Sequence, residues 1–277
     1  SAGVRVIEAS NFDYTVCFRM IFGKQLDILC ATPAEDSGFA VGINPFTDWT
    51  SLVRSLYQHN YDFDYKAFDG SLSRGLMVAA GQALSGTVED ETLFMNLYMA
   101  TVRSYHHGPG FDYFLEGSNP SGTPFTTVLN CAANLIVVDY FMLLKTTPYL
   151  AVTYGDDLIL STDEPVDPEE FKQILKSEFG MNITPSDKES TTFTDKKPMQ
   201  VEFLKRTPKR ITADTIVGAL SIDNMLQHIM WCRGLDEFKS QLESFTLELA
   251  LHGCEKYTEV RELFRTKGVV IPKFQDT

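Results

Sequence analysis

Apolar and polar residues alternate along Tyr61-Asp-Phe-Asp-Tyr65, and this two-residue period predicts a strand. Two further apolar runs, Tyr149-Leu-Ala-Val-Thr153 and Leu158-Ile-Leu160, flank Tyr154-Gly-Asp-Asp157. β-Prone runs joined by a tight Gly-containing turn predict a hairpin, with two adjacent carboxylates at its tip. Phe111 to Glu116 and Met181 to Thr184 read as short strands, and Gln200 to Arg206 as another.

Helical spacing dominates elsewhere. Asn11 to Leu29 reads as partly helical, and Thr32 to Pro45 as a loop. Trp49, Leu52, Val53 and Leu56 share one helical face between Asp48 and His59, with Thr47 or Asp48 able to cap. A helix is expected from the Gly70-Ser71 turn to about Leu84, and another from Glu89-Asp-Glu91 to about Tyr105. The longest apolar run, Pro124 to Leu144, contains Asn130, Asn134 and Asp139, so it predicts a buried helix rather than a membrane span. Asp167-Pro-Glu-Glu170 combines a cap, a first-turn Pro and first-turn acids, a strong helix start, and Gly180 ends that helix. From about Asp223 to Phe264 the pattern is helical, broken at Gly234 and Gly253. Interleaved strands and helices followed by a helical third predict an α+β fold with a helical appendage.

A length of 277 residues allows one large domain or two modest ones. Five cysteines without C-x-x-C spacing argue for reduced thiols and against a structural zinc. The N-terminus lacks signal-peptide architecture, and its abrupt β-prone opening suggests a fragment of a longer protein. The net charge of −13 argues against a nucleic-acid partner at first sight. Net charge governs solubility and steering, however, and does not decide what one cleft binds.

The candidate chemistry is acidic. If the strand ending at Asp64 neighbours the hairpin bearing Asp156 and Asp157, three carboxylates converge. Oxygen-only clusters suit Mg²⁺, and two ions about 4 Å apart can clamp an in-line phosphoryl transfer. Taken singly, Asp64 better fits a solvated strand end, and the hairpin an acidic surface turn. Asp69 suits a turn or cap, or a contact to a sugar hydroxyl. Ser121 lies in a Gly-rich loop able to approach a nucleotide. Asn130 is either a satisfied core amide or a ligand. Lys188 is a loop lysine that could reach a phosphate or donate a proton. Lys205-Arg206 could touch a nucleic-acid backbone or form the polar face of a strand.

In this order and spacing, the set resembles the RNA-dependent RNA polymerases of picornaviruses and related positive-strand RNA viruses. Asp64-Tyr-Lys-Ala-Phe-Asp69 resembles their motif A. Ser118-Asn-Pro-Ser-Gly-Thr123, with Thr126 and Asn130, resembles motif B, and Tyr154-Gly-Asp-Asp157 motif C. Thr184-Pro-Ser-Asp-Lys188 resembles motif D, Phe203-Leu-Lys-Arg206 motif E, and Val4-Arg-Val-Ile-Glu8 the tail of motif F. His252-Gly-Cys-Glu-Lys-Tyr257 is similar to a stretch of the family's thumb. The resemblance covers essentially the whole chain.

It implies a right-hand polymerase: a palm with an antiparallel sheet, partial fingers and a helical thumb. The implied divisions are 1–21 as the end of the fingers, 22–102 as palm, 103–119 as a fingers insertion, 120–210 as palm and 211–277 as thumb. Asp64 and Asp156 would be the principal metal ligands and Asp157 an auxiliary one, for Mg²⁺ with Mn²⁺ able to substitute. Asp69, Ser121 and Asn130 would read the ribose 2′-OH, with Thr126 in support. Arg5 would bind the triphosphate, Lys188 would protonate the leaving pyrophosphate, and Lys205 and Arg206 would grip the primer. The implied partners are RNA template and primer, ribonucleoside triphosphates, a genome-linked protein primer and other viral replication proteins. The implied location is the host cytoplasm, at membrane-associated replication complexes. The missing fingers and short C-terminus leave a second reading, an inactive fragment that binds RNA or partner proteins. A reverse transcriptase is disfavoured, because a DNA-making site should block the 2′-OH rather than bond it.

Overall fold

The structure is a computed structural model and describes residues 7–186 and 190–274. In chain order its elements are α1 (Phe12–Ala31), α2 (Ala34–Ser37), α3 (Trp49–Ser55), β1 (His59–Tyr65), α4 (Phe68–Ser71), α5 (Arg74–Ser85) and α6 (Glu91–Val102). Next come β2 (Arg103–Gly108), β3 (Phe111–Glu116), α7 (Thr126–Met142), β4 (Tyr149–Tyr154), β5 (Asp157–Thr162), α8 (Pro168–Glu178) and β6 (Ile183–Pro185). The chain closes with β7 (Arg206–Arg210), β8 (Ile216–Leu220), α9 (Ile222–Ile229), α10 (Leu235–Ala250) and α11 (Cys254–Thr266). It divides into two compact units, Ser1–Ile43 with Ser55–Pro198, and Asn44–Arg54 with Met199–Thr277.

The first unit is built on an antiparallel sheet of order β4-β5-β1-β6. Alternation along β1 sends Tyr61, Phe63 and Tyr65 into a core shared with α1, α5, α6, α7 and α8. Phe125, at the start of α7, is the hub of that core. Its ring meets Phe18 at 4.6 Å, Tyr98 at 5.1 Å and Phe94 at 5.6 Å, all edge-on, the arrangement aromatic quadrupoles favour. Helix α5 approaches closely because residue 81 is Gly: a Cβ there would lie 2.3 Å from the Tyr98 ring. The opposite face of β1 carries Asn60, Asp62 and Asp64. There Lys196 donates to both Asp62 oxygens at 2.8 and 2.6 Å, and its main chain pairs with that of Asn60.

The second unit joins the β7–β8 hairpin to α3 and to α9–α11, whose core includes Met225, Phe245, Leu249, Tyr257 and Val260. Trp49 is fully buried against Gly218, where a Cβ would lie 2.4 Å from the indole.

Three expectations need correction. Residues 32–45, expected to be loop, contain the short helix α2. The helix expected to reach Tyr105 stops at Val102, because residues 103–108 pair at every position with 111–116 across a Pro-Gly turn. The strand expected over Gln200 to Arg206 is mostly turn. Leu204 and Lys205 both have positive φ (54° and 61°), and Phe203 and Arg206 exchange main-chain hydrogen bonds, the signature of a type I′ turn. The strand starts only at Arg206, and its partner β8 is an element that the hydrophobic pattern did not single out. The helix over the long apolar run is present as α7, and among the described residues no helix is long and apolar enough to cross a membrane.

Candidate active site

The paired acids sit where the pattern put them. Tyr154 and Asp157 form the last pair of the β4–β5 ladder, so Gly155 and Asp156 make a two-residue turn. Gly155 has φ 65° and Asp156 has no positive φ, the pattern of a type II′ turn with Gly at its first central position. Side chains of α7 hold this turn from below. The Gly155 N–H donates to the Cys131 sulfur (3.1 Å), and Asn134 Nδ2 donates to the Gly155 carbonyl (3.3 Å). Tyr65 donates its hydroxyl to Asn134 Oδ1 at 2.9 Å. Burial pushes the Cys131 thiol up to about 11, so it stays protonated and donates to the Thr153 carbonyl. Burial, and after it the charge of Asp156, raises the Tyr65 phenol, which also remains a donor.

Strand register brings the third acid alongside. The β1–β5 ladder ends with Phe63 paired to Leu158; Asp64 is the next residue along β1 and Asp157 the residue before Leu158, so the register directs the two acids to the same end of adjacent strands. Asp64 also pairs with Thr184 of β6. Among the described residues no three His, Cys, Asp or Glu side chains close into a metal-holding group. The donor set nonetheless fits Mg²⁺, which takes one or two carboxylates and completes its shell with water and substrate phosphates.

Five residues beyond Asp64, the chain turns through Ala67 (φ 53°) into α4 and presents Asp69. Asn130 Nδ2 donates to Asp69 Oδ1 at 2.6 Å, and Ser121 Oγ donates to Asp69 Oδ2. The three residues singled out for the sugar site thus form one hydrogen-bonded cluster. Thr126 closes the loop bearing Ser121: its hydroxyl donates to the Pro120 carbonyl (3.0 Å) and accepts from the Gly122 N–H (3.3 Å). A partner the sequence did not single out is Asn119. Its main-chain N–H donates to the Asp69 carbonyl (2.8 Å), and its Nδ2 donates to Asn130 Oδ1 (2.8 Å).

The other expected positions are dispersed. Arg5 and Lys188 lie outside the described residues. Lys205 sits in the type I′ turn of the second unit. The Arg206 guanidinium is engaged within that unit, making a bidentate pair with Glu248 (3.1 and 2.7 Å) and donating to the Gly218 carbonyl (2.6 Å). Asn119, Asn134, Cys131 and Tyr65 are the site-supporting residues that sequence reasoning missed. The one available signal was the pair Asn130 and Asn134, four apart in an apolar helix and therefore on one face.

Comparison with known proteins gives a consistent picture. The family model described as viral RNA-dependent RNA polymerase matches residues 2–266. The genome polyprotein of Human parechovirus 2 (strain Williamson) is 40% identical over 256 residues, covering 91% of this chain and 12% of the polyprotein. That of Ljunganvirus 1 is 40% identical over 263 residues, 94% of this chain and 12% of the polyprotein. The solved Sicinivirus 3Dpol RNA dependent RNA polymerase superposes with a TM-score of 0.87 at 24% identity, covering 97% of this chain and 60% of that one. That likeness establishes the right-hand polymerase fold. The chain therefore spans about an eighth of the curated polyproteins it matches and three fifths of the solved polymerase.

Proposed function

The chain belongs to the viral RNA-dependent RNA polymerase family, and on that premise we propose that it carries the catalytic centre of an enzyme that copies RNA from ribonucleoside triphosphates by two-metal-ion nucleotidyl transfer during viral genome replication. The observation that carries this reading is the output of a single strand. β1 presents Asp64 at the hairpin acids and, five residues later, delivers Asp69 to Asn130 and Ser121. On this reading, phosphoryl-transfer chemistry and ribose recognition would stand side by side.

Asp64 and Asp156 would hold Mg²⁺, with Asp157 auxiliary and Mn²⁺ able to substitute. When bound, the ions supply activation of the primer hydroxyl and neutralisation of phosphate charge. The Asp69 carboxylate already accepts one hydrogen bond at each oxygen, and each oxygen keeps a second lone pair. The 2′-OH of an incoming ribonucleotide would donate there, and a deoxynucleotide would leave that contact unmade. Arg5 would bind the triphosphate, and Lys188 would hand a proton to the departing pyrophosphate. Lys205 would contact the primer backbone. Arg206 serves better as the anchor of its turn, since its donors face Glu248 and Gly218.

In this reading residues 1–21 close the fingers, 22–102 and 120–210 make the palm around a fingers insertion at 103–119, and 211–277 form the thumb. Template RNA, primer RNA or a genome-linked protein, and other replication proteins would be the partners, at cytoplasmic membrane-associated complexes. The test is incorporation on a primed RNA template by the polymerase that contains this chain. Asp156→Ala should abolish incorporation with the fold intact by circular dichroism. Elongation by that variant would overturn the metal assignment.

A further inference from the structure

The geometry points to Asn119 as the residue that fixes which way the Asn130 amide faces, and so as a specificity-determining residue for the sugar; the inference rests on the ribose-site reading above. An asparagine amide can rotate by half a turn with almost no change in shape, exchanging a donor for an acceptor. At Asn130 that choice decides whether Asp69 meets an N–H, as observed at 2.6 Å, or an oxygen that would repel its carboxylate. The donor that settles it is Asn119 Nδ2, 2.8 Å from Asn130 Oδ1. Asn119 is 3% exposed and Asn130 5%, so bulk water does not take over the role.

The amide of Asn119 is itself oriented. Its Nδ2 also donates to the Thr126 carbonyl at 3.3 Å, while its Oδ1 is buried with no hydrogen-bond partner among the described residues. The loop therefore keeps an unmatched acceptor in order to aim both hydrogens at α7. Backbone geometry fixes the position: Gly117 and Ser118 both have positive φ (87° and 57°), and a Cβ at 117 would lie 2.9 Å from the Arg74 nitrogen. The Asn119 main-chain N–H meanwhile grips the Asp69 carbonyl. One residue thus ties Asp69 by its backbone and orients, through Asn130, the donor that faces the Asp69 carboxylate. Asn119 is a positioning residue and has no contact of its own with the sugar.

The test measures kcat/KM for a ribonucleotide and its deoxy counterpart on a primed template, in the polymerase containing this chain. Asn119→Leu should lower the ribo-to-deoxy ratio by about tenfold, the value of one lost positioned hydrogen bond. Asn119→Asp, nearly identical in size, should lower it as much, because a carboxylate there draws the Asn130 N–H away from Asp69. Asn119→Leu added to Asn130→Ala should lower the ratio no further than Asn130→Ala alone. Equal proportional losses with both nucleotides, or a wild-type ratio in Asn119→Asp, would overturn the inference. Asp69→Asn in the same assay separates the two levels. If Asp69→Asn leaves the ratio unchanged, the ribose-site reading fails. If it collapses the ratio while the Asn119 variants do not, only the role of Asn119 fails.

Discussion

The ion pair between Lys196 and Asp62 offers a sharp energetic test of how β1 is held in place. Asp62 lies two residues before Asp64 on the same face, and its side chain is 4% exposed, against 22% for Lys196. Lys196→Met keeps most of the aliphatic stem and deletes the charge, taking the ammonium away from a buried carboxylate. Breaking a buried pair by removing one partner costs about 3–5 kcal/mol, and partial access of water at the Lys196 end places the expectation near the lower figure. Asp62→Asn should cost less, about 1–2 kcal/mol, because the remaining ammonium can bend toward water while the amide still accepts a hydrogen bond. The double variant should be more stable than the sum of the single losses predicts, by at least about 1 kcal/mol. Urea unfolding followed by far-UV circular dichroism, with m-values compared across the four proteins, measures all three quantities. A loss below about 1 kcal/mol in Lys196→Met, or an Asp62→Asn loss larger than it, would refute the argument that burial of the carboxylate sets the energy.

Three further outcomes follow from the geometry. Gly81→Ala gains up to about 1 kcal/mol of helix propensity but drives a methyl into the Tyr98 ring, so thermal unfolding should show a net loss of about 1–2 kcal/mol. Cys131 should resist a disulfide reagent at pH 8 in the native protein while the exposed Cys17, Cys30 and Cys254 and the half-buried Cys232 react; fast modification of all five thiols would contradict its burial. Its thiol is raised from 9.0 to about 11, so the stability tied to its neutral form is complete below pH 9 and declines as pH climbs toward 11, and Cys131→Ala should flatten that alkaline limb of the stability curve.

What could be read from the sequence was whatever a short window determines. The alternation in β1, the acidic tip of the β4–β5 hairpin and the Asp-Pro-Glu-Glu start of α8 each depend on neighbours a few residues away, and each stands in the structure. Register and side-chain pairing are another matter. Tyr65 and Asn134 are 69 positions apart, and nothing local to either announces their hydrogen bond. Ser121 and Asp69 are 52 apart, and only resemblance to a family grouped them beforehand. The Phe203 to Arg206 turn misled for the opposite reason. The residues leading into it, Gln200-Val-Glu-Phe203, alternate like a strand, yet Leu204 and Lys205 take two successive positive φ angles just before the ladder that Arg206 starts with β8.

The helix α7 explains why these separate elements form one site. Asn130 and Asn134 are four residues apart, so they project from one helical face about 6 Å apart along the axis. The first meets Asp69, and the second meets Tyr65 and the Gly155 carbonyl. Tyr65 directly follows Asp64 in the chain and Asp69 comes five residues after it, and Gly155 directly precedes Asp156 and Asp157. A single helical turn therefore measures out the distance between the acids that would hold metal and the carboxylate that would hold the sugar. The apolar remainder of α7, packed around Phe125, Leu129, Val137 and Phe141, supplies the burial that keeps that ruler from rotating. Polar side chains inside an apolar helix are costly unless satisfied. Here Asn134 is satisfied by Tyr65 of β1 and the Gly155 carbonyl of the hairpin, and Asn130 by Asp69 and Asn119, so the hydrogen bonds that satisfy the polar groups of α7 are the same ones that tie these elements together.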